Sequence, residues 1–226
     1  MFFKNNDVFE ANLNAIFLNQ QKILFSIKTK EGDKITTFFS GNAKPFVKRY
    51  KFIKGFEEGS LDFYSKKNNN KKVSTLKIYD FKIKELSVLT KILTLASLQG
   101  IADLLSGEGI RFNEFEMNFT KKDKLMSFNE IYAIGPAISI LMDGYIEEDK
   151  LISLRGTLVP ATTINKTIGS IPFLGDILVG KKTGEGVFGI SFKIKGSPKN
   201  LETSVNPIKT LTPRFITRTL EKIKKN

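Results

Sequence analysis

Few kinds of side chain in this sequence could do chemistry. It has no His and no Cys. That removes the usual general base near neutral pH and the commonest metal ligand, along with any thiolate nucleophile, disulfide or zinc–thiolate cluster. Carboxylate, lysine and hydroxyl chemistry remain. Asp143, Glu147, Glu148 and Asp149 crowd one strand end. A carboxylate pair of suitable spacing hydrolyses glycosides, and a larger group holds a hard cation; the plainer reading is charge keeping a turn in water. The Gly184-Glu185-Gly186 turn is no phosphate loop, because it leads into a strand and no Gly-Lys-Ser/Thr follows. Lys48-Arg49-Tyr50-Lys51-Phe52 interleaves basic and aromatic residues as single-strand binders do. No nucleic-acid-binding motif surrounds it, and it reads as a solvated helix end. The expectation is a chain with no catalytic residue, no metal, no cofactor and no nucleic-acid partner.

Charge and apolar pattern carry more. Lys+Arg is 36 against 23 Asp+Glu, a net +13. Such an excess suits an anionic partner, nucleic acid or anionic lipid, yet the charge is almost all Lys in a chain rich in Asn, Ile and Phe, as an A/T-biased genome also produces. No window holds the ~18 uninterrupted apolar residues of a membrane span; Leu86–Leu105 is interrupted by Lys91, Gln99, Gly100 and Asp103. Met1 to Asp7 is too short in apolar residues for a signal peptide, so an envelope role would need a signal supplied upstream, as in a fragment or split gene product.

The elements that would position a site are mostly strands. Phe9, Ala11, Leu13, Ala15 and Phe17 alternate, as do Ile23, Phe25 and Ile27; Phe115, Met117 and Phe119; Ile138, Ile140, Met142 and Ile146; Ile152, Leu154 and Leu158; and Phe188, Ile190, Phe192 and Ile194. Period two with one apolar face means half-buried antiparallel strands. Turns at Glu31-Gly32-Asp33, Lys122-Asp123 and Asp149-Lys150 link several as a meander, and Asn68 to Lys72 reads as an exposed hairpin loop. Three segments break this rhythm. Lys44–Lys54 predicts a short helix. Leu86–Leu105 predicts one long apolar helix, with Leu89, Leu93, Ala96 and Leu104 near one stripe. Thr212–Lys225 predicts a basic amphipathic helix capped by Thr212 and Pro213, with Arg214, Arg218 and Lys222 along one side. That last helix either adsorbs to an anionic membrane, at about 1 kcal/mol per basic residue near the surface, or packs on the sheet with its lysines in water. Ile171, Phe173, Leu174, Ile177 and Leu178 lie in an apolar loop between glycines, an expected membrane-contacting tip. Composition by itself favours a closed sandwich over an open trough.

Two stretches bear on that choice. One is Leu93-Thr94-Leu95-Ala96-Ser97-Leu98-Gln99-Gly100-Ile101-Ala102-Asp103-Leu104-Leu105-Ser106-Gly107-Glu108-Gly109. The other is Leu154-Arg155-Gly156-Thr157-Leu158-Val159-Pro160-Ala161, continued by Asn165, Ile171-Pro172-Phe173-Leu174-Gly175, Gly184-Glu185-Gly186-Val187-Phe188 and Ser204-Val205-Asn206-Pro207. Over about residues 55 to 220 the chain resembles the AsmA-like C-terminal domain family of bridge-like lipid-transfer proteins of the Gram-negative envelope (the YhdP and TamB type). The resemblance implies a single β-groove domain over 1–226, its first 54 residues matching only in strand character, as the C-terminal part of a larger envelope protein. It implies a mainly β, α+β fold: a strongly curved antiparallel groove with the long apolar helix packed on or in it and the basic helix at its end. It also implies a non-enzymatic, periplasmic, membrane-associated role in phospholipid transport between inner and outer membranes, with acyl chains, the membrane surface and envelope proteins as partners. Phe115, Met117, Phe119, Ile138, Ile140, Met142, Ile190 and Phe192 are the expected lining residues. The second reading is an envelope assembly scaffold that binds a protein through edge strands and the C-terminal helix.

Overall fold

The computed structural model describes residues 1–4, 7–49, 54–96, 102–103, 107–160 and 189–208. Twelve strands follow one another: β1 (Phe2–Lys4), β2 (Asp7–Ile16), β3 (Lys22–Lys30), β4 (Asp33–Ser40), β5 (Lys54–Asn68), β6 (Lys71–Glu85), β7 (Ile110–Lys122), β8 (Leu125–Ile134), β9 (Ile138–Glu147), β10 (Leu151–Pro160), β11 (Gly189–Ser197) and β12 (Asn200–Ile208). They form one sheet whose spatial order is the chain order, and the pairings are antiparallel throughout. Among the described residues β1 and β12 do not pair with each other, so the sheet is open.

Local chemistry explains the meander. Two-residue hairpins favour left-handed central residues, which Gly, Asn and Asp adopt most cheaply. Glu31 and Gly32 (φ 52° and 84°), Asn69 (48°) and Asp123 (51°) occupy those positions, and Asp149 (62°) is the left-handed residue of the three-residue turn between Glu147 and Leu151.

The register lays side chains in transverse rows on one face. One row runs Leu13, Phe25, Phe38, Phe63, Leu76, Met117, Ile131, Met142, Gly156, Phe192 and Val205 from β2 to β12. The next runs Ile23, Ser40, Leu61, Ile78, Phe115, Ala133, Ile140, Leu158 and Ile190. Gly156 sits in the first row because a Cβ there would lie 2.6 Å from both Met142 Cγ and Phe192 Cζ; its bare backbone lets the larger neighbours close over it.

Two short helices lie on this inner face. α1 (Lys44–Val47) follows β4, and α2 (Ser87–Leu95) follows β6. Leu89, Ile92 and Leu93 of α2 share one core with Phe56, Phe81 and Phe112 of β5–β7 and with Ile138, Leu158 and Ile190 of β9–β11. α2 also contacts β12. On a flat sheet β12 would stand six strand spacings from β6, about 29 Å away. A nine-residue helix starting beside β6 spans about 14 Å, so the sheet must curl around it.

The long helix expected over Leu86–Leu105 is not found among the described residues. α2 ends at Leu95, where the Ala96 N–H makes the last helical bond, to the Ile92 carbonyl at 3.0 Å. β-Branched Val88, Thr90, Ile92 and Thr94 fill four of its nine positions, and no side chain caps its N-terminus. Its intrinsic helicity is therefore weak, and packing holds it. Of the helix expected over Lys44–Lys54, the described residues form only α1, which ends at Val47, and β5 begins at Lys54. The basic helix with Arg214, Arg218 and Lys222, the tip at Ile171, Phe173, Leu174, Ile177 and Leu178, and Leu104 lie outside the described residues. No helix among the described residues is long and apolar enough to cross a membrane.

Candidate functional site

The inner face is sealed at one end and half open elsewhere. At the sealed end Leu93, Ile138, Leu158 and Ile190 are fully buried. Beside them Phe56, Phe81 and Phe112 stack across three strands, with centroids 5.4 Å apart in each pair. Away from α2 the same face is only partly covered among the described residues: Phe46 of α1 lies edge-on to Phe38 at 4.7 Å, and Phe63, Leu76 and Leu154 pack against the margin of the core. Phe25, Phe38, Phe63, Leu76, Met117, Phe119, Ile146, Ile152 and Leu154 are only half-buried, and Leu13 is 49% exposed. An aligned apolar face left half in water favours an apolar guest.

The register brings the expected lining residues onto this one face. Phe115, Met117, Phe119, Ile140 and Met142 are half-buried there, while Ile138, Ile190 and Phe192 are buried in the protein's own core and offer little surface to a guest. Of the expected covering residues, Leu89 and Leu93 are buried and Ala96 packs at the edge of the core. Sequence reasoning missed Phe38, Phe63, Leu76, Phe128 and Ile131, which share the face. β-Bulges hid some of them. On β8, Phe128 and Ile131 point the same way although three positions apart, because the register shifts between them.

Polarity grades along the face toward the β5–β6 hairpin. Thr36, Ser65 and Ser74 form one transverse row, with the buried Ser74 hydroxyl donating to Ser65 at 3.0 Å. Beyond it Lys34, Lys67, Lys72 and Lys121 form the next row on β4 to β7.

The outer face carries a separate polar network. The Tyr132 hydroxyl lies 2.9 Å from Glu114 Oε1 and also bonds Glu116; Asn118 donates to Glu116 at 2.7 Å, and Lys77 Nζ lies 3.0 Å from it. Burial pushes the Glu116 pKa up, but the hydrogen bonds from Tyr132, Asn118 and Lys77 outweigh it and bring the pKa to about 2. Burial, with Glu116 and Glu114 beside it, pushes the Tyr132 phenol well above its usual range. Buffered in this way, neither group is poised to exchange protons near neutral pH.

The acidic cluster at the β9–β10 turn is occupied by surface pairing. Asp143 accepts from Arg155 at 2.8 Å, Glu147 from Lys150 at 2.7 Å, and Glu148 lies 3.8 Å from Lys121. Among the described residues no three His, Cys, Asp or Glu side chains converge as a metal site. The geometry that stands out is thus an apolar face, open on one side and graded to cationic at one end. No family model, no curated protein and no solved structure matches this chain.

Proposed function

We propose that this chain is a non-enzymatic lipid-binding module that belongs to a conduit for phospholipid between the inner and outer membranes, working at the membrane in the periplasm. One observation carries the reading: eleven strands present a continuous row from Leu13 to Val205 on one face, and among the described residues much of that face is only half-buried. An acyl chain of about 16 carbons costs up to ~12 kcal/mol in water, at about 0.8 per methylene. A trough of Phe, Leu, Met and Ile removes most of that cost, needs no reactive group, and leaves a headgroup in water. The resemblance to the AsmA-like family supports the same reading. The scaffold alternative has its own support in the open sheet, whose edge strand β12 is unpaired on one side among the described residues, since an edge accepts a strand from another protein.

Native mass spectrometry of gently purified protein distinguishes the two. Co-purifying phospholipid is expected for the wild type, and its loss for Phe63→Glu with Met117→Glu, both on the open part of the face. A stoichiometric protein partner without lipid would favour the scaffold.

A further inference from the structure

We infer that Lys67, Lys72 and Lys121, with Lys34 completing the row, form a headgroup site for an anionic phospholipid whose acyl chains run along the inner face; the inference rests on the lipid-binding reading above. The four lysines are register partners, Lys34 with Lys67, Lys67 with Lys72, and Lys72 with Lys121. They lie on the same face as Phe38, Phe63, Leu76 and Met117, because on each strand they are separated from those residues by an even number of positions. Like charges placed directly opposite destabilise a sheet, and these strands are interior, so the lysines are not protecting an edge. Among the described residues no carboxylate lies within ion-pair distance of Lys67 or Lys72; Lys121 has only Glu148, at 3.8 Å. Lys72 is half-buried with its ammonium 5.6 Å from the centre of the Phe63 ring. Burial holds it below the ordinary lysine range, and Lys121, Lys67 and Lys34 push it the same way. A phosphate at this place would neutralise the charge of Lys67 and Lys72, which no described carboxylate pairs.

The rest of the row argues for an amphiphile over a purely ionic ligand. Past Lys121 the same row continues as Met126, Ile146, Ile152, Gly196 and Leu201, so the cationic half faces apolar residues across the curl of the sheet. Along the strands the order is lysine, hydroxyl, apolar. From Lys72 to Ile78 is six residues, about 20 Å of strand. One leaflet of a ~30 Å hydrocarbon core is about 15 Å deep, so an acyl chain anchored by its phosphate at the lysines fits along the apolar rows.

The test titrates acyl-labelled fluorescent phosphatidylglycerol and phosphatidylcholine into four proteins: wild type, the Lys67→Gln, Lys72→Gln, Lys121→Gln triple variant, its Arg counterpart, and a Lys193→Gln, Lys195→Gln control on the outer face. Wild type is expected to prefer phosphatidylglycerol about tenfold. The Gln triple variant should bring the two lipids within about twofold with phosphatidylcholine binding unchanged, while the Arg and control variants keep the preference. The Gln variant removes repulsion, so its unfolding midpoint should not fall. Equal wild-type affinity for both lipids, or an equal loss of preference in the control, overturns the headgroup site and leaves the groove reading standing. Binding of neither lipid by wild type overturns both. Lysine-dependent binding of a labelled oligonucleotide with lipid preference unchanged would assign the row to nucleic acid and overturn the proposal.

Discussion

At the residue scale, individual positions decide which way a strand faces, and this is where sequence alternation fails. On β6 Ile78 and Phe81 both point into the core, three residues apart. The switch is made at Asp80, held at φ 51°, with Gly59 at φ 81° on the neighbouring strand. A Cβ on Gly59 would lie 2.9 Å from Tyr79 O and from Phe81 Cβ, so only glycine permits the close approach. Nothing in a single-strand count of apolar residues marks such a switch, which is why β5 and β6 were not legible as strands although their hairpin loop at Asn68 to Lys72 was. The outer-face Glu116 was equally hidden, because its character depends on Tyr132 and Lys77 arriving from adjacent strands. Its effect on stability has a definite sign. The folded pKa of about 2 lies below the unfolded value near 4.5, so the folded chain binds this proton less tightly. The stabilisation is complete above pH ~4.5 and is lost as pH falls toward 2. With the Glu116 side chain only 13% exposed, the loss amounts to about 3 kcal/mol at most. Urea unfolding at pH 5 and pH 2.5 should therefore show a steeper drop for wild type than for Glu116→Gln; parallel drops would mean the network does not hold the carboxylate.

At the element scale, segments with clean alternation are strands, as β2, β3, β7, β9 and β10 illustrate. Their tips were legible through Gly, Asn and Asp. Helix length was not. Leu86–Leu105 is apolar enough to suggest a long helix, but apolar stripes measure burial, and here burial comes from a curled sheet that needs only a short plug. α2 supplies that plug through Leu89, Ile92 and Leu93, and its Lys91 stays exposed. Leu93→Ala should cost about 2–5 kcal/mol, because the site is walled by sheet on several sides and collapses poorly. Lys91→Ala should fall within about 0.5 kcal/mol of wild type. Equilibrium denaturation of the two variants checks this, and equal midpoints would show that α2 does not anchor the core.

At the scale of the whole molecule, each strand pairs only with its neighbours in the chain. Stability in such an array is largely local, a sum over adjacent pairs plus whatever core each pair reaches. The core is unevenly shared. β9, β10 and β11 contribute Ile138, Leu158, Ile190, Phe192 and Ile194, all deeply buried. In β2 only Ala11 is buried among the residues whose side chains are described, and Leu13 and Ile16 are 49% and 64% exposed. The N-terminal strands must therefore open at much lower free energy than the rest. Native-state hydrogen exchange read by mass spectrometry should show β2 and β3 exchanging at least tenfold faster than β9 to β11. An apolar guest on the inner face would bury Leu13, Phe25 and Phe38 together, and mass action then slows exchange in those strands first. Protection that rises at β2 to β4 on adding phosphatidylglycerol micelles, and little at β9 to β11, is the expected pattern. Uniform protection along the sheet without lipid would mean that the open half is already packed, and it would leave no face for a guest to occupy.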